Sequence, residues 1–323
     1  MQSYSNLKQV PGSNTIQNCI RTGHLYIRGG EKNMRTSNEM IDLVLSYAEN
    51  DKRIRAVGLN GSRTNPNATR DMFQDFDIVY LVTEMDSFME DRDWIDVFGD
   101  RIIMQTPENM SMFPPDLGGR FSYLMLFTDG NRIDLTLVPM EEKEIYCNED
   151  KLTVILMDKD NCLPEVPPPT DKDYWAKCPS AEFYADCCNE FWWVSTYVVK
   201  GLWRREILYA HEHLNNILRP MLFKMLEWKV GIDNDYSISV GKCGKYLEKY
   251  LSEKCWQELL STYASGSKDD VWRALFAMAN LFRATALYVA ERLGFEYKSD
   301  EDERVTAYLE HIKHLSPDAS KIY

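Results

Sequence analysis

Residues 59–82, LNGSRTNPNATRDMFQDFDIVYLV, decide how the rest of the chain reads. An apolar run over 54–59 ends at Gly61-Ser62. After a twelve-residue spacer a second strand-like run opens with Asp75-Phe76-Asp77. Alternate residues of a strand point to one face, so Asp75 and Asp77 present two carboxylates side by side next to the Gly-Ser turn. Like charges that close repel unless a cation lies between them. Oxygen ligands with a path to solvent suit Mg²⁺, which keeps some waters and takes its remaining ligands from substrate phosphates. Gly61 permits a tight turn and a close backbone approach, and Ser62 adds a hydroxyl and an amide as phosphate donors.

A third acid follows from strand parity further along. Segments 121–127 and 132–138 flank Asp129-Gly130-Asn131, a hairpin signal. On the second arm Ile133, Leu135 and Leu137 alternate with Asp134, Thr136 and Val138. Asp134 is therefore off the apolar face, on a strand able to pair beside the first two aspartates. Taken singly, Asp134 is an ordinary polar position and the Asp-x-Asp a solvated strand start. Together with a Gly-Ser turn they make the pattern of the nucleotidyltransferase superfamily.

Longer segments narrow the resemblance. GSRTN at 61–65, FQDFDI at 73–78, LFTDGNRIDLTLVP at 126–139 and CCNEFWWVSTYVVKGL at 187–202 resemble the aminoglycoside 6-adenylyltransferases, the streptomycin-resistance enzymes of bacteria. The resemblance begins near Met34 and covers nearly everything after it. It implies an α+β protein, with an N-terminal polymerase-β-like mixed sheet with flanking helices and a C-terminal helical bundle. It also implies AMP transfer from ATP to the 6-hydroxyl of streptomycin, with two Mg²⁺ ions on Asp75, Asp77 and Asp134. The third carboxylate is credited with the base role in related enzymes, so Asp134 is expected as metal ligand, base or both.

The chain in order fits that plan. Residues 1–33 are polar and aperiodic, and read as a disordered extension or as sequence upstream of the true start. Ser37 is placed to cap a helix with Met40, Ile41, Val44, Leu45 and Ala48 on its buried side. One amphipathic helix is expected over 87–98, with Phe88, Trp94, Val97 and Phe98 apolar, and short strands over 101–105 and 152–157. Strands interleaved with helices indicate a mixed sheet domain over 34–165. Four prolines in residues 163–170, LPEVPPPT, make a stiff linker. Residues 166–323 read as helices. The first carries the stripe Phe183, Cys187, Phe191, Val194 and Val198 and stops at Gly201. The second carries Ile207, His211, Leu214, Ile217, Met221, Met225 and Trp228, with a kink at Pro220. Leu259, Leu260 and Tyr263 share a later stripe.

A triphosphate needs cations. Lys200 lies in YVVKG, and Lys242 lies in a Val-Gly-Lys loop before a helix. The latter resembles a phosphate-gripping lysine of the streptomycin/spectinomycin adenylyltransferases, with Tyr263 as a nucleotide contact. Arg63 is expected on phosphate or paired with a nearby acid. A base-rich antibiotic calls for carboxylates and flat aromatic walls, and Glu190, Trp192 and Trp193 are the candidates. Adjacent helical residues diverge by ~100°, so one tryptophan of the pair should face outward.

Composition sets bounds. The 323 residues are 44% hydrophobic and 12% aromatic, ample for two cores. No run approaches the ~18–20 apolar residues of a membrane span, and no signal-peptide h-region opens the chain, so the expectation is a cytoplasmic protein. Eight cysteines without a C-x-x-C pair read as reduced thiols, and the histidine pairs lack a third zinc ligand. The net charge is −13; Lys8, Arg21, Arg28 and Lys32 against Glu31 make residues 1–33 net +3, which leaves −16 for the rest. An acidic body disfavours nucleic acid, and with it an RNA-extending polymerase, and suits a polycationic small substrate. The alternatives are another nucleotidyltransferase, modifying a different aminoglycoside, a lincosamide or a protein hydroxyl, and a binding protein that kept the fold without the chemistry.

Overall fold

A computed structural model describes residues 33–91 and 93–323, which divide into two compact units between Pro169 and Thr170, inside the proline-rich segment. The extension expected over 1–33 lies, but for Asn33, outside the described residues. No described helix is long and apolar enough to cross a membrane.

The first unit begins with α1 (Ser37–Asn50). Its cap is Thr36 rather than Ser37. Thr36 has extended backbone and its hydroxyl accepts from Glu39 N, while the Glu39 carboxylate accepts from Thr36 N at 2.7 Å. This reciprocal pair outcompetes a lone serine cap. Met40, Val44 and Ala48 recur every four residues and are fully buried. β1 (Ile54–Asn60), β2 (Phe76–Val82), α2 (Met85–Glu90), β3 (Arg101–Gln105), β4 (Phe121–Phe127), β5 (Arg132–Pro139), α3 (Lys143–Glu149) and β6 (Thr153–Asp158) follow. The single helix expected over 87–98 is instead α2 and a 3₁₀ turn at Asp93–Phe98. Three residues per turn put Ile95 and Phe98 on one face, which leaves Val97 exposed and buries Ile95 instead.

The six strands form one sheet in the order β3-β4-β5-β2-β1-β6. All neighbours are antiparallel except β2 and β5, which run parallel and pair Asp77 with Asp134. α1 and the aromatic set Tyr80, Phe88, Trp94 and Tyr123 cover one face, while Tyr146 of α3 joins Ala56, Val79, Leu81 and Val138 on the other. Each fully buried side chain of this size contributes about 1.5–3 kcal/mol. Asp77 is the sole residue of β2 that the packing leaves partly open.

The second unit is helical. It contains α4 (Ala181–Trp203), α5 (Ile207–His213), α6 (Arg219–Asp233), α7 (Leu247–Tyr250), α8 (Glu253–Ser261), α9 (Lys268–Leu293) and α10 (Ser299–His314). Gly201 does not end α4. A Cβ there would stand 2.9 Å from the Tyr209 ring and 3.2 Å from Ala210 N, so the glycine lets α5 approach closely. The chain turns instead at Arg205, in the left-handed region at φ 63°. Phe183 is 54% exposed, and Tyr184 takes its expected place in the core, donating to Ala286 O at 2.9 Å. The kink expected at Pro220 is a π-helical turn over Leu214–Leu218, one step earlier. Leu214, Met225 and Trp228 are buried as expected, but proline has no N–H for the preceding turn, and around the widened turn Ala210, Leu218 and Leu222 are buried in place of His211, Ile217 and Met221, which are half-buried. In α8 Leu259 is buried, while Leu260 and the following Tyr263 are exposed.

Candidate active site

β1 ends where the chain must reverse beside β2. Gly61 takes φ 71°, and a Cβ on it would stand 2.1 Å from Asp77 Oδ2. Only glycine leaves that carboxylate its place. Gly61 N donates to Leu152 O at 3.1 Å, and Ser62, next in the turn, receives the Gln74 amide at its carbonyl and hydroxyl.

Arg63 is not free for phosphate. Its guanidinium lies 3.5 Å above the centre of the Phe76 ring. It donates to Asp75 O at 2.8 Å, Gln74 O at 2.7 Å and Ser37 Oγ at 3.0 Å. These bonds fix the backbone that aims Asp75. The expected phosphate contact is therefore corrected to a brace under the acids.

Asp75, Asp77 and Asp134 each bring a carboxylate oxygen within 4.8 Å of the others. Asp75 precedes β2 by one residue, Asp77 lies on it, and Asp134 is its partner across the parallel pair. Burial, and then the charges of Asp75 and Asp134, push the Asp77 carboxyl up to about 7. The cluster thus holds a proton near neutral pH unless a cation replaces it. Three partly open carboxylates, with no thiol or imidazole among them, form a hard oxygen donor set, which fits a divalent cation of the Mg²⁺ kind. Arg132 donates from Nε to Asp134 Oδ1 at 2.7 Å and from Nη2 to Oδ2 at 2.6 Å. The hairpin carrying Asp134 is pinned by Arg35, whose Nε donates to Asp129 Oδ2 at 2.6 Å.

The profile of the streptomycin adenylyltransferase family matches residues 34–312. The chain belongs to that family. It is 50% identical over 280 residues to an aminoglycoside 6-adenylyltransferase of Bacillus subtilis (strain 168), with 86% of this chain and 98% of that one covered. Enzymes of the same name from Campylobacter jejuni and Staphylococcus aureus are 47% and 40% identical, over 85% and 77% of this chain and 95% and 89% of theirs. The acid cluster is thus set in an adenylyltransferase.

The helical unit of this adenylyltransferase carries the other expected residues. On α4, Glu182, Asp186, Glu190, Trp193, Tyr197 and Lys200 recur at steps of four or three along the open side. Trp193 is 59% exposed and its Nε1 donates to Tyr197 Oη at 2.9 Å. The Lys200 ammonium lies 4.6 Å and 5.5 Å from the Tyr197 and Tyr209 ring centres. Trp192 departs from expectation. It is 2% exposed, packed edge-on against Phe191 and Phe282, and donates to Tyr297 Oη at 3.2 Å. The ~100° step between neighbours sends it inward, where no substrate reaches it.

Lys242 is exposed on a short turn in which Gly241, Cys243 and Gly244 all have positive φ, beside a hollow of about 500 Å³. Tyr263 lies face-on to the Arg219 guanidinium at 3.7 Å. Arg219 is the residue that sequence reasoning passed over. It is 6% exposed, donates to Thr262 Oγ1 and O and to Asn215 Oδ1, and has no carboxylate partner among the described residues. Burial lowers its pKa, the mark of a cation held out of water without a counter-charge. Its one sequence signal is a lone arginine on the buried side of an apolar stripe.

Proposed function

We propose that this protein transfers AMP from ATP to the 6-hydroxyl of streptomycin, releasing pyrophosphate and inactivating the antibiotic. The observation that carries the reading is the convergence of Asp75, Asp77 and Asp134 beside Gly61 in a member of an adenylyltransferase family. The aminoglycoside is taken from the names of the relatives. Two Mg²⁺ ions bound by the three aspartates would offset charge on the triphosphate and on the departing pyrophosphate.

The residues divide the work. Gly61 keeps the turn close against Asp77, and Ser62 offers its hydroxyl to phosphate. Lys242, Lys200 and the exposed Tyr263 ring, braced from behind by the buried Arg219, are the cationic and aromatic contacts for the nucleotide. Asp134 takes the proton of the attacking sugar hydroxyl. That oxygen bonds to the α-phosphorus, the α–β anhydride bond breaks, and its electron pair leaves with pyrophosphate. A carboxylate next to divalent metal is a weak base, so Asp134 acts through position. Streptidine carries two guanidinium groups, which pair bidentately with carboxylates and stack on aromatic faces. Glu190 and Trp193 present that combination on the open side of α4. Spectinomycin has no guanidinium, so it forgoes these bidentate pairs and the stacking and should be a much poorer substrate.

Incubating the purified protein with ATP, Mg²⁺ and a panel of aminoglycosides, and assaying pyrophosphate, tests the reading. Release with streptomycin and none with spectinomycin is expected. Comparable rates with both would reject the selectivity argument.

A further inference from the structure

β5 begins with Arg132 two residues before Asp134, so the two side chains share a face. The guanidinium occupies both oxygens of Asp134, and its Nε lies 4.0 Å from an Asp75 oxygen. Among the described residues no other cation forms an ion pair with the three aspartates. Arg63, the other nearby cation, directs its N–H groups to Gln74 O, Asp75 O and Ser37. Arg132 therefore sits where a divalent cation would find its third carboxylate. Its side chain is 48% exposed, so it has somewhere to go.

We propose that Arg132 is an exchangeable counter-ion. It holds Asp134 in the metal-free enzyme, yields that carboxylate when the divalent cation binds, and then pairs with phosphate oxygens of the nucleotide. The inference rests on the metal-dependent reading above and gives that site a further residue. Its physical basis is charge balance. Three carboxylates this close need compensation, and Arg132 supplies one charge of it. A divalent ion supplies more at the same oxygens, and two cations crowded onto one carboxylate repel. A displaced guanidinium beside a triphosphate meets acceptors that match its fork. The backbone has no need to move. Asn131 Nδ2 donates to Arg35 O at 3.0 Å, and Arg35 is bonded in turn to Asp129, so the turn before β5 stays fixed while the Arg132 side chain swings.

The test is Mn²⁺ binding, followed by electron paramagnetic resonance without nucleotide, and then the affinity of a non-hydrolysable ATP analogue with Mn²⁺ present. Arg132→Gln should bind Mn²⁺ roughly fivefold tighter than the wild type, since a competing ion pair is gone. It should bind the ATP analogue about tenfold more weakly, having lost a charged fork. Arg132→Lys keeps the charge without the fork, so its Mn²⁺ affinity should stay near wild type while the analogue binds more weakly. If Arg132 merely aligned Asp134, Arg132→Gln would bind Mn²⁺ no better or worse, and either result overturns the proposal. Should Arg132→Gln fail to fold, wild-type analogue affinity in Arg132→Lys overturns it too. If neither wild type nor variant binds Mn²⁺, with or without the analogue, the metal reading itself falls and takes this inference with it.

Discussion

Two aspartates withdrawn from water have opposite fates in this protein. In the sheet unit, Asp77 is partly buried next to Asp75 and Asp134, and its carboxyl is pushed up to about 7. In the helical unit, Asp302 on α10 is more deeply enclosed, at 3% exposure, yet its pKa is lowered. Burial acts to raise both. At Asp302 it is outweighed by Arg283, whose Nε and Nη2 donate at 2.5 Å and 2.6 Å, and by the hydroxyls of Tyr297 at 2.6 Å and Thr306 at 3.0 Å. The same network reaches Trp192, which donates to Tyr297 Oη. One carboxylate is fully answered by its own chain and serves as scaffold. The other is crowded with like charge and left for something outside the chain to answer. That difference, more than burial itself, separates a functional acid from a structural one.

The contrast can be broken by substitution. Asp77→Asn should lower turnover by about a thousandfold or more while leaving the fold intact or slightly more stable, because it removes a repelling charge. Asp75→Asn should do the same, and wild-type turnover by either folded variant would end the cluster's role. On the scaffold side, Trp192→Ala should destabilise by about 3–5 kcal/mol by leaving a cavity in the core. Trp193→Ala, one residue along and exposed, should leave denaturant midpoints nearly unchanged and raise KM for streptomycin about fivefold. A reversal of that pair would mean that the two faces of α4 have been misassigned. Asp302→Asn should cost about 2–3 kcal/mol, since it leaves Arg283 without its partner, with turnover per folded molecule kept.

Acidity sharpens the contrast further, because the signs differ. Asp302 has a depressed folded pKa. Its contribution is present above the unfolded value of about 3.9 and is lost as pH falls through the folded value below that. Asp77, in protein stripped of metal by EDTA, has a raised folded pKa. Its contribution is present below about 3.9 and is lost as pH rises towards about 7, a change on the order of 4 kcal/mol. Denaturant melts of metal-free protein between pH 5 and 8, in steps of about one unit, should therefore show falling stability that Asp77→Asn removes. An identical slope in the variant would contradict the assignment.

What was legible in the sequence was what strand parity fixes. Two residues apart means one face, and the hairpin around Asp129-Gly130-Asn131 sets Asp134 on the polar side, so the acid cluster needed no side-chain detail. The long-range pairing of β2 with β5 completed it. Side chains with reach were harder. Arg63 had several acids and carbonyls within range, and only packing on Phe76 decides between them. For Trp192 and Trp193 the helix period gave the divergence but not its phase, which depends on what α9 and α10 present to α4. Gly201 could equally stop a helix or admit a neighbour, and the neighbour is Tyr209, on another element. Arg219 went unread because a buried cation leaves no periodic signal of its own. The π-helical turn depends on how the helix before Pro220 accommodates the missing N–H, which spacing does not encode.

The most direct measurement is mass spectrometry and NMR of streptomycin after incubation with ATP, Mg²⁺ and either wild-type protein or Asp77→Asn. The account predicts that wild type adds one AMP, on the 6-hydroxyl of streptidine, and that the folded variant adds none. AMP on a different hydroxyl, no product with wild type, or undiminished product with Asp77→Asn would contradict it.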